Sequence, residues 1–375
     1  MSTITPARSV DRPVPTAAPR SRTSQGRTGW FMLTPALVLL VLFLVVPFVS
    51  AFALSFTNQR LISPNPTEYV GTAQFTRLLT VRPVTLSPET DPATGGSLRD
   101  DAGALVYPSL RELTRDNPDR PELAGLQEWT SFSLGERRIV FLAGDAVFMR
   151  SLVNTLIFAV VIVPLQGGLG LLLALLVNKR TRGVNVFRAI YFVPVVMSMV
   201  VVSILWSFLY DPSNGLINNS LGFLTRGALG PIDFLGDTRT ALPSVMLMSV
   251  WQAVGFHMVI WLSGLQSIPG TLYEAASIDG ATRWQEFRFV TWPGLRNTMV
   301  FVMITITIAA FGLFTQIDVM TRGGPLDSTS TVVFHAVQQG YRQQNIAYGS
   351  AISVVFFLMV LVVALVQRVL TRDKD

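Results

Sequence analysis

The chain contains no cysteine, which excludes disulfide staples, thiolate metal sites and a cysteine nucleophile while leaving the compartment open. Histidine is nearly as scarce. His257 and His335 are the two in the chain, and no paired carboxylates accompany them in the apolar segments, so no acid–base or metal set for an embedded enzyme emerges. Charged residues make up 14%, against about 25% in an ordinary soluble domain. No G-x-x-x-x-G-K-[ST] run occurs, so this chain carries no phosphate cradle of that type. The excess of base, +6, is modest and lies between hydrophobic blocks, which argues against nucleic acid as a partner. Nothing in the sequence calls for a cofactor.

What is present is apolar. Half of the 375 residues are hydrophobic and mean hydropathy is +0.47. A bilayer core needs about 20 consecutive apolar residues per helix. Blocks of that length run from Trp30 to Phe56, Leu152 to Val177, Phe187 to Tyr210, Ala241 to Leu265, Thr298 to Ile317 and Ala347 to Val369. In lipid the backbone satisfies its polar groups by forming helices, so these blocks predict an all-α integral membrane protein with six transmembrane helices. The first block is too long for a signal-peptide core, although Ser50-Ala51-Phe52-Ala53 resembles a cleavage site, and it is read as a span. Pro47, Pro164 and Pro194 lie inside three blocks and are hinge candidates.

Basic residues in short connections set the orientation. One side collects Arg8, Arg12, Arg20, Arg22 and Arg27, then Lys179, Arg180, Arg182 and Arg188, then Arg283, Arg288 and Arg296, and finally Arg368, Arg372 and Lys374. The short loops of the other side hold Arg226, Arg239, Arg322 and Arg342. Both termini are therefore expected in the cytoplasm. Residues 1–29, rich in Ser, Thr, Pro and Arg, are read as a disordered tail, followed by a first transmembrane helix over 30–56. Residues 371–375 form a short cytoplasmic tail. Residues 57–150 are of mixed composition and read as an extracytoplasmic loop or small domain. They contain no ligand cluster, and Ile139 to Leu142 is ambiguous between strand and helix.

One connection is unlike the others. Pro269 to Pro293 reads as two short helices meeting at Gly280, with capping boxes at Thr271/Glu274 and Thr282/Gln285. Ala275 and Ala276 keep a face thin, and Glu274 is placed as an acid at the positive end of the first helix. Trp284, Phe287 and Val290 recur at helical spacing, so that face should pack against the membrane base or against the protein's own spans. Physical chemistry alone leaves two readings open, a helix built to dock and an interfacial hairpin.

The segment resembles the "EAA" signature of binding-protein-dependent ABC importer permeases. Glu274-Ala275-Ala276, Gly280 and Pro293 fall at the signature's spacing, with Val290 and Trp292 where the family prefers Ile and Leu. Tyr69-Val70-Gly71, Asn154-Thr155-Leu156, Tyr191-Phe192-Val193-Pro194, and Gly323-Gly324-Pro325 with Thr329 and Thr331 look like the carbohydrate-uptake branch, of maltose and glycerol-phosphate type. The stretch after Arg77 is an insertion relative to that pattern. The resemblance implies the type I importer permease fold, with a permease core over 151–370 and a cytoplasmic coupling loop over 269–293. It implies that Glu274, Ala275, Ala276, Asp279, Gly280 and Pro293 couple the chain to a separate ABC ATPase, present in two copies, so that this chain is not itself an enzyme. A second permease, an extracytoplasmic solute-binding protein, a bacterial inner membrane and a sugar substrate are implied in the same way.

An ion-coupled carrier needs ionisable groups in the membrane, each costing at least about 2.5 kcal/mol. The spans offer His257, with Asp318 at the outer end of the fifth, and a lone histidine is more often a packing residue. A sugar path should be polar and uncharged, with aromatic faces. The fourth block offers Ser249, Trp251, Gln252, Phe256 and Trp261, and the fifth Thr305, Thr307, Phe311 and Gln316. In resembling sugar permeases these spans line the central site, so Trp251, Gln252, Phe256, Thr307 and Phe311 are the expected pathway residues. Glycerol-phosphate-type cargo is the alternative. Gly167, Gly168 and Gly170 are read as allowing close helix contact.

Overall fold

The computed structural model describes residues 22–90, 96–101, 103–115, 118–178, 183–228 and 230–371. Most of the expected N-terminal tail, the tail 372–375, and Lys179, Arg180 and Arg182 lie outside these residues. The chain forms two compact units, Met1–Ser50 and Ala51–Asp375, each described by itself.

The first unit carries a helix that starts at Arg22, inside the stretch expected to be unstructured. Propagating an existing helix backwards costs far less than nucleating one. The apolar part, α1, spans Gly29–Leu54 and none of it is buried. A π-helical turn covers Val41–Val45, just before Pro47. Proline lacks an N–H and crowds the carbonyl four residues back, here Phe43 inside that turn, so the local widening absorbs the conflict.

The second unit opens with helix α2, Ala73–Leu79, and a three-stranded antiparallel sheet of β1 (Val81–Leu86), β2 (Gln127–Leu134) and β3 (Arg137–Ala143), ordered β1-β3-β2. The ambiguous Ile139–Leu142 is strand. Val140 and Leu142 are fully buried with Val84, Leu86 and Leu123, while Phe141, on the other face, meets Trp129 and Phe132. That is the two-residue period of a pleat.

Asp145 then caps α3, Ala146–Val177, accepting the Phe148 N–H at 2.8 Å. Ser151, Thr155, Phe158, Ile162, Gln166, Gly170, Ala174 and Val177 are buried along it, a stripe of helical period facing the bundle. Arg188 donates through Nη2 to the Val177 carbonyl at 2.9 Å, placing a cation at the negative end of α3.

The third apolar block is not one straight helix. It divides into α4, Val184–Val196, and α5, Met199–Leu209, bent by 100°. Met197 and Ser198, with ψ of 143° and 135°, leave the helical region. Pro194, inside the last turn of α4, removes one helix hydrogen bond just before the break. The hinge expected at Pro194 is therefore a full interruption a few residues later.

Helix α6, Ala241–Ser267, is the most buried span. Gln166 Nε2 donates to the Ser249 carbonyl, whereas Gly170 faces His257, so α3 and α6 run in the same direction. After α6 come a short exposed helix, α7 (Gly270–Ile278), the span formed by α8 (Arg296–Phe311) and α9 (Thr315–Met320), then α10 (Val332–Val337) and α11 (Ile346–Thr371). Among the described residues, five helices are long and apolar enough to cross a membrane, six if the α4–α5 pair counts as one crossing. The sheet precedes the start of α3 and α7 follows the end of the parallel α6, so they occupy opposite ends of the bundle.

Candidate functional site

At one end, α7 stands clear of the bundle. Pro269 is its N-cap, and no side chain caps it. Thr271 and Glu274 therefore do not form the expected capping box. The rigid φ of Pro269 starts the helix early, which puts Thr271 inside it and Glu274 beyond the first turn. The other end is as expected. Gly280 has φ +73°, with the Gly280 N–H donating to Ser277 O at 3.1 Å and the Ala281 N–H to Ala276 O at 2.9 Å. This pair of bonds is the Schellman stop, which favours glycine at its left-handed position. Thr282 and Gln285 do form a reciprocal capping box. A π-helical turn, Phe287–Thr291, then leads into Trp292–Gly294, which contains Pro293.

No residue of α7 is buried. Ile278 is 87% exposed and Leu272 49%. Glu274, Ala275 and Asp279 are exposed and Ala276 half-buried. The helix is tethered by Tyr273, which packs against the bundle core and shares a 3.0 Å hydrogen bond with Thr291 Oγ1. Phe287 and Val290 also pack against that core. Trp284 does not. It stays 67% exposed, stacked on Phe287 at 5.7 Å.

Inside the bundle is a cavity of about 70 Å³ lined by Gln166, Met199, Ser249, Gln252, His257 and Gln316 among others. It lies between α3, α6, α8 and α9, against the start of α5. Of the expected pathway residues, Gln252 lines it. Trp251 and Phe256 are partly exposed on the flank of α6, Trp251 lying 5.6 Å from Trp206. Thr307 is buried and accepts from Gln367 Nε2 at 2.7 Å, and Phe311 is buried beside Phe356. Gln166 was not among the expected residues, although an amide in the middle of an apolar block is a readable signal. His257 holds the Ala253 carbonyl at 3.0 Å through Nδ1, as a packing histidine does. Among the described residues, no Lys, Arg, Asp or Glu lines the cavity.

At the opposite end, residues distant in sequence are knotted together. Asp145 accepts from His335 Nε2 at 2.8 Å and from the Tyr348 hydroxyl at 2.6 Å. Burial alone would raise its carboxyl, but these partners and the Phe148 N–H hold it down to about 2. Asn154 Nδ2 donates to the carbonyls of Asp327 and Ser330, both at 3.0 Å, and Thr155 Oγ1 accepts the Val332 N–H at 3.1 Å. The Asn154-Thr155 and Gly323-to-Thr331 motifs are thus one joint, fastening the loop after α9 to the start of α3.

The family of binding-protein-dependent transport system inner membrane components matches residues 166–375. The lactose transport system permease protein LacF of Rhizobium radiobacter is 34% identical over 275 residues, covering 72% of this chain and 89% of that protein. The trehalose/maltose transport system permease protein MalF of Thermococcus litoralis is 34% identical over 228 residues, or 61% of this chain and 76% of that one. Among solved structures, a bacterial ABC transporter involved in the import of the acidic polysaccharide alginate superposes with a TM-score of 0.67. At 19% identity over 94% of this chain and 97% of the other, that likeness establishes the fold.

Proposed function

Because this chain belongs to the binding-protein-dependent transport system inner membrane component family and is a multi-pass permease subunit of an ABC importer, we propose that its cargo is a sugar. An extracytoplasmic binding protein delivers it, and a separate ATPase, present in two copies, drives its passage. A second, similar permease completes the path. The similarity to permeases of lactose and trehalose/maltose transport systems supports the cargo, and so does a cavity with no charged side chain among its described lining residues. Hydroxyls are matched by neutral donors and acceptors, whereas a phosphate-bearing solute would call for basic ones.

The observation that carries the coupling is the exposure of α7. An otherwise complete helix with Ile278 87% and Leu272 49% exposed leaves apolar surface that a partner would cover. In this reading α7 lies in a cleft of the ATPase, on the cytoplasmic side with both termini, and the sheet region lies on the extracytoplasmic side of the inner membrane. Glu274, Ala275, Ala276 and Asp279 face the partner, while Gly280 and Pro293 fix the shape of the loop. Movement of α7 passes through Tyr273 and Thr291 to α8, and through Ile268 to the end of α6. Those helices bound the cavity, which at about 70 Å³ is far below the ~300 Å³ lower end of small-molecule pockets. Transport therefore requires their separation, bringing Gln252, Trp251, Phe256, Thr307 and Phe311 to the widened path.

Affinity purification of the tagged chain in mild detergent tests this. Co-isolation of a P-loop ATPase and a second multi-span permease, with ATP hydrolysis by the complex, is the expected outcome. A chain that purifies alone and transports without ATP would replace the reading with an ion-coupled carrier.

A further inference from the structure

A second cavity, of about 590 Å³, opens at the end of the bundle that carries the sheet. Its walls include Asn58, Gln59, Arg60, Asn65, Gln74, Arg77 and Asn345. The volume falls within the ~300–1,000 Å³ of small-molecule pockets, yet its walls are unusual for one. They are dominated by amides and hydroxyls, include two arginines and, among the described residues, contain no carboxylate. Among the described residues neither arginine has a carboxylate partner. The Arg77 guanidinium carbon lies over the Tyr348 ring, 4.5 Å from the centroid. A cation–π contact does not itself use up the guanidinium N–H donors that would meet an anion.

The walls are fixed. The Leu61 N–H donates to Gln344 O at 2.8 Å, and the Ala347 N–H donates to Gln59 O at 3.1 Å. Gln74 Nε2 donates to Thr57 O at 3.0 Å, and Asn345 Oδ1 accepts the Tyr348 N–H at 3.2 Å. Their position identifies the surroundings. Asn58 to Arg60 follow closely on the end of α1 at Leu54, and Asn345 immediately precedes α11 at Ile346. Residues that flank two membrane spans lie in the headgroup layer, which adds about 10–15 Å in total to the hydrocarbon core.

We propose that this cavity holds the headgroup of an anionic glycerophospholipid, of the phosphatidylglycerol type. The phosphate lies between Arg60 and Arg77, where planar guanidinium groups pair with phosphate oxygens. The headgroup hydroxyls are taken by Gln59, Asn65 and Asn345, whose amides both donate and accept. Basic pockets beside membrane helices recognise lipid headgroups through this chemistry. The site is separate from the cavity lined by Gln166 and Gln252, and the proposal stands or falls without the transport reading.

The test is native mass spectrometry of the full chain in detergent, titrated with phosphatidylglycerol, phosphatidylcholine and, as a soluble anion of the same chemistry, glycerol 3-phosphate. Phosphatidylglycerol should bind in preference to phosphatidylcholine. Arg60→Gln and Arg77→Gln should each weaken it about tenfold, the lower end of a hydrogen bond to a charged group. Arg226→Gln, away from the cavity, should leave it unchanged. Arg60 is exposed and makes no stacking contact, so its variant separates lost binding from lost folding. Equal retention of both lipids, or indifference to the two arginines, would overturn the proposal. So would displacement of the lipid by glycerol 3-phosphate at comparable concentration, which would assign the cavity to a soluble solute. None of these readings uses ATP or a partner subunit.

Discussion

The imidazole of His335 meets the carboxylate of Asp145 at 2.8 Å with both side chains almost wholly buried, tying α10 to the first turn of α3. Tyr348, at the start of α11, donates to the same carboxylate oxygen, so one acidic side chain joins three elements.

That joint should fail in acid. The Asp145 carboxyl is held at about 2, against an ordinary value of 3.8. A depressed folded-state value contributes stability that is complete above the ordinary value and is lost as pH falls through the folded one. The difference corresponds to about 2 kcal/mol. Thermal unfolding in detergent should show the protein losing roughly that amount between about pH 4 and pH 2 relative to Asp145→Asn, which should already be weaker at pH 7. Parallel pH curves for the two proteins would refute the assignment.

Helix contact makes a sharp contrast between two glycines. A Cβ at Gly255 would stand 1.9 Å from the Tyr191 carbonyl oxygen, whereas at Gly168 nothing lies within 4 Å. Gly255→Ala should push α4 from α6 and cost about 1–3 kcal/mol, as overpacking does. Gly168→Ala should be neutral or slightly stabilising. Melting temperatures of the two variants decide the matter.

The end of α7 depends on the left-handed backbone at Gly280. Gly280→Ala should cost about 1–2 kcal/mol locally, and Gly280→Pro should also remove the N–H that bonds Ser277 O. Gly280→Pro and Glu274→Lys should leave the chain inserted while ATP hydrolysis proceeds without uptake. Normal uptake by both, measured in proteoliposomes, would remove α7 from the coupling path.

Gln252 lines the bundle cavity with Gln166 and Gln316. Gln252→Leu keeps the helix and removes a hydrogen-bonding group, so the KM for sugar uptake should rise about tenfold, the loss expected of a hydrogen bond. An unchanged KM, with the complex assembled, would place the path elsewhere.

Much of this was legible in the residues. The apolar blocks located the spans because lipid leaves the backbone no alternative to a helix. The Glu274-to-Gly280 loop was legible because a Schellman stop favours a glycine at one position. The interruption at Met197–Ser198 was not, since both residues are compatible with a helix and only tertiary packing selects the 100° bend. Thr271 misled because a Thr/Glu pair scans as a capping box without revealing that Pro269 has already begun the helix. The Asp145–His335–Tyr348 joint depends on contacts between distant segments, which periodicity does not encode.

The absence of cysteine allows the most direct test. Ile278→Cys, at the exposed tip of α7, supplies a single thiol for a short bifunctional cross-linker in the assembled complex. The expected result is a covalent adduct with the ATPase subunit whose yield changes on nucleotide binding, while a thiol introduced at Leu134 on the sheet gives none. Absence of an adduct at Ile278 in a complex that still imports sugar with ATP would contradict the assignment of α7 as the helix through which ATP hydrolysis drives transport.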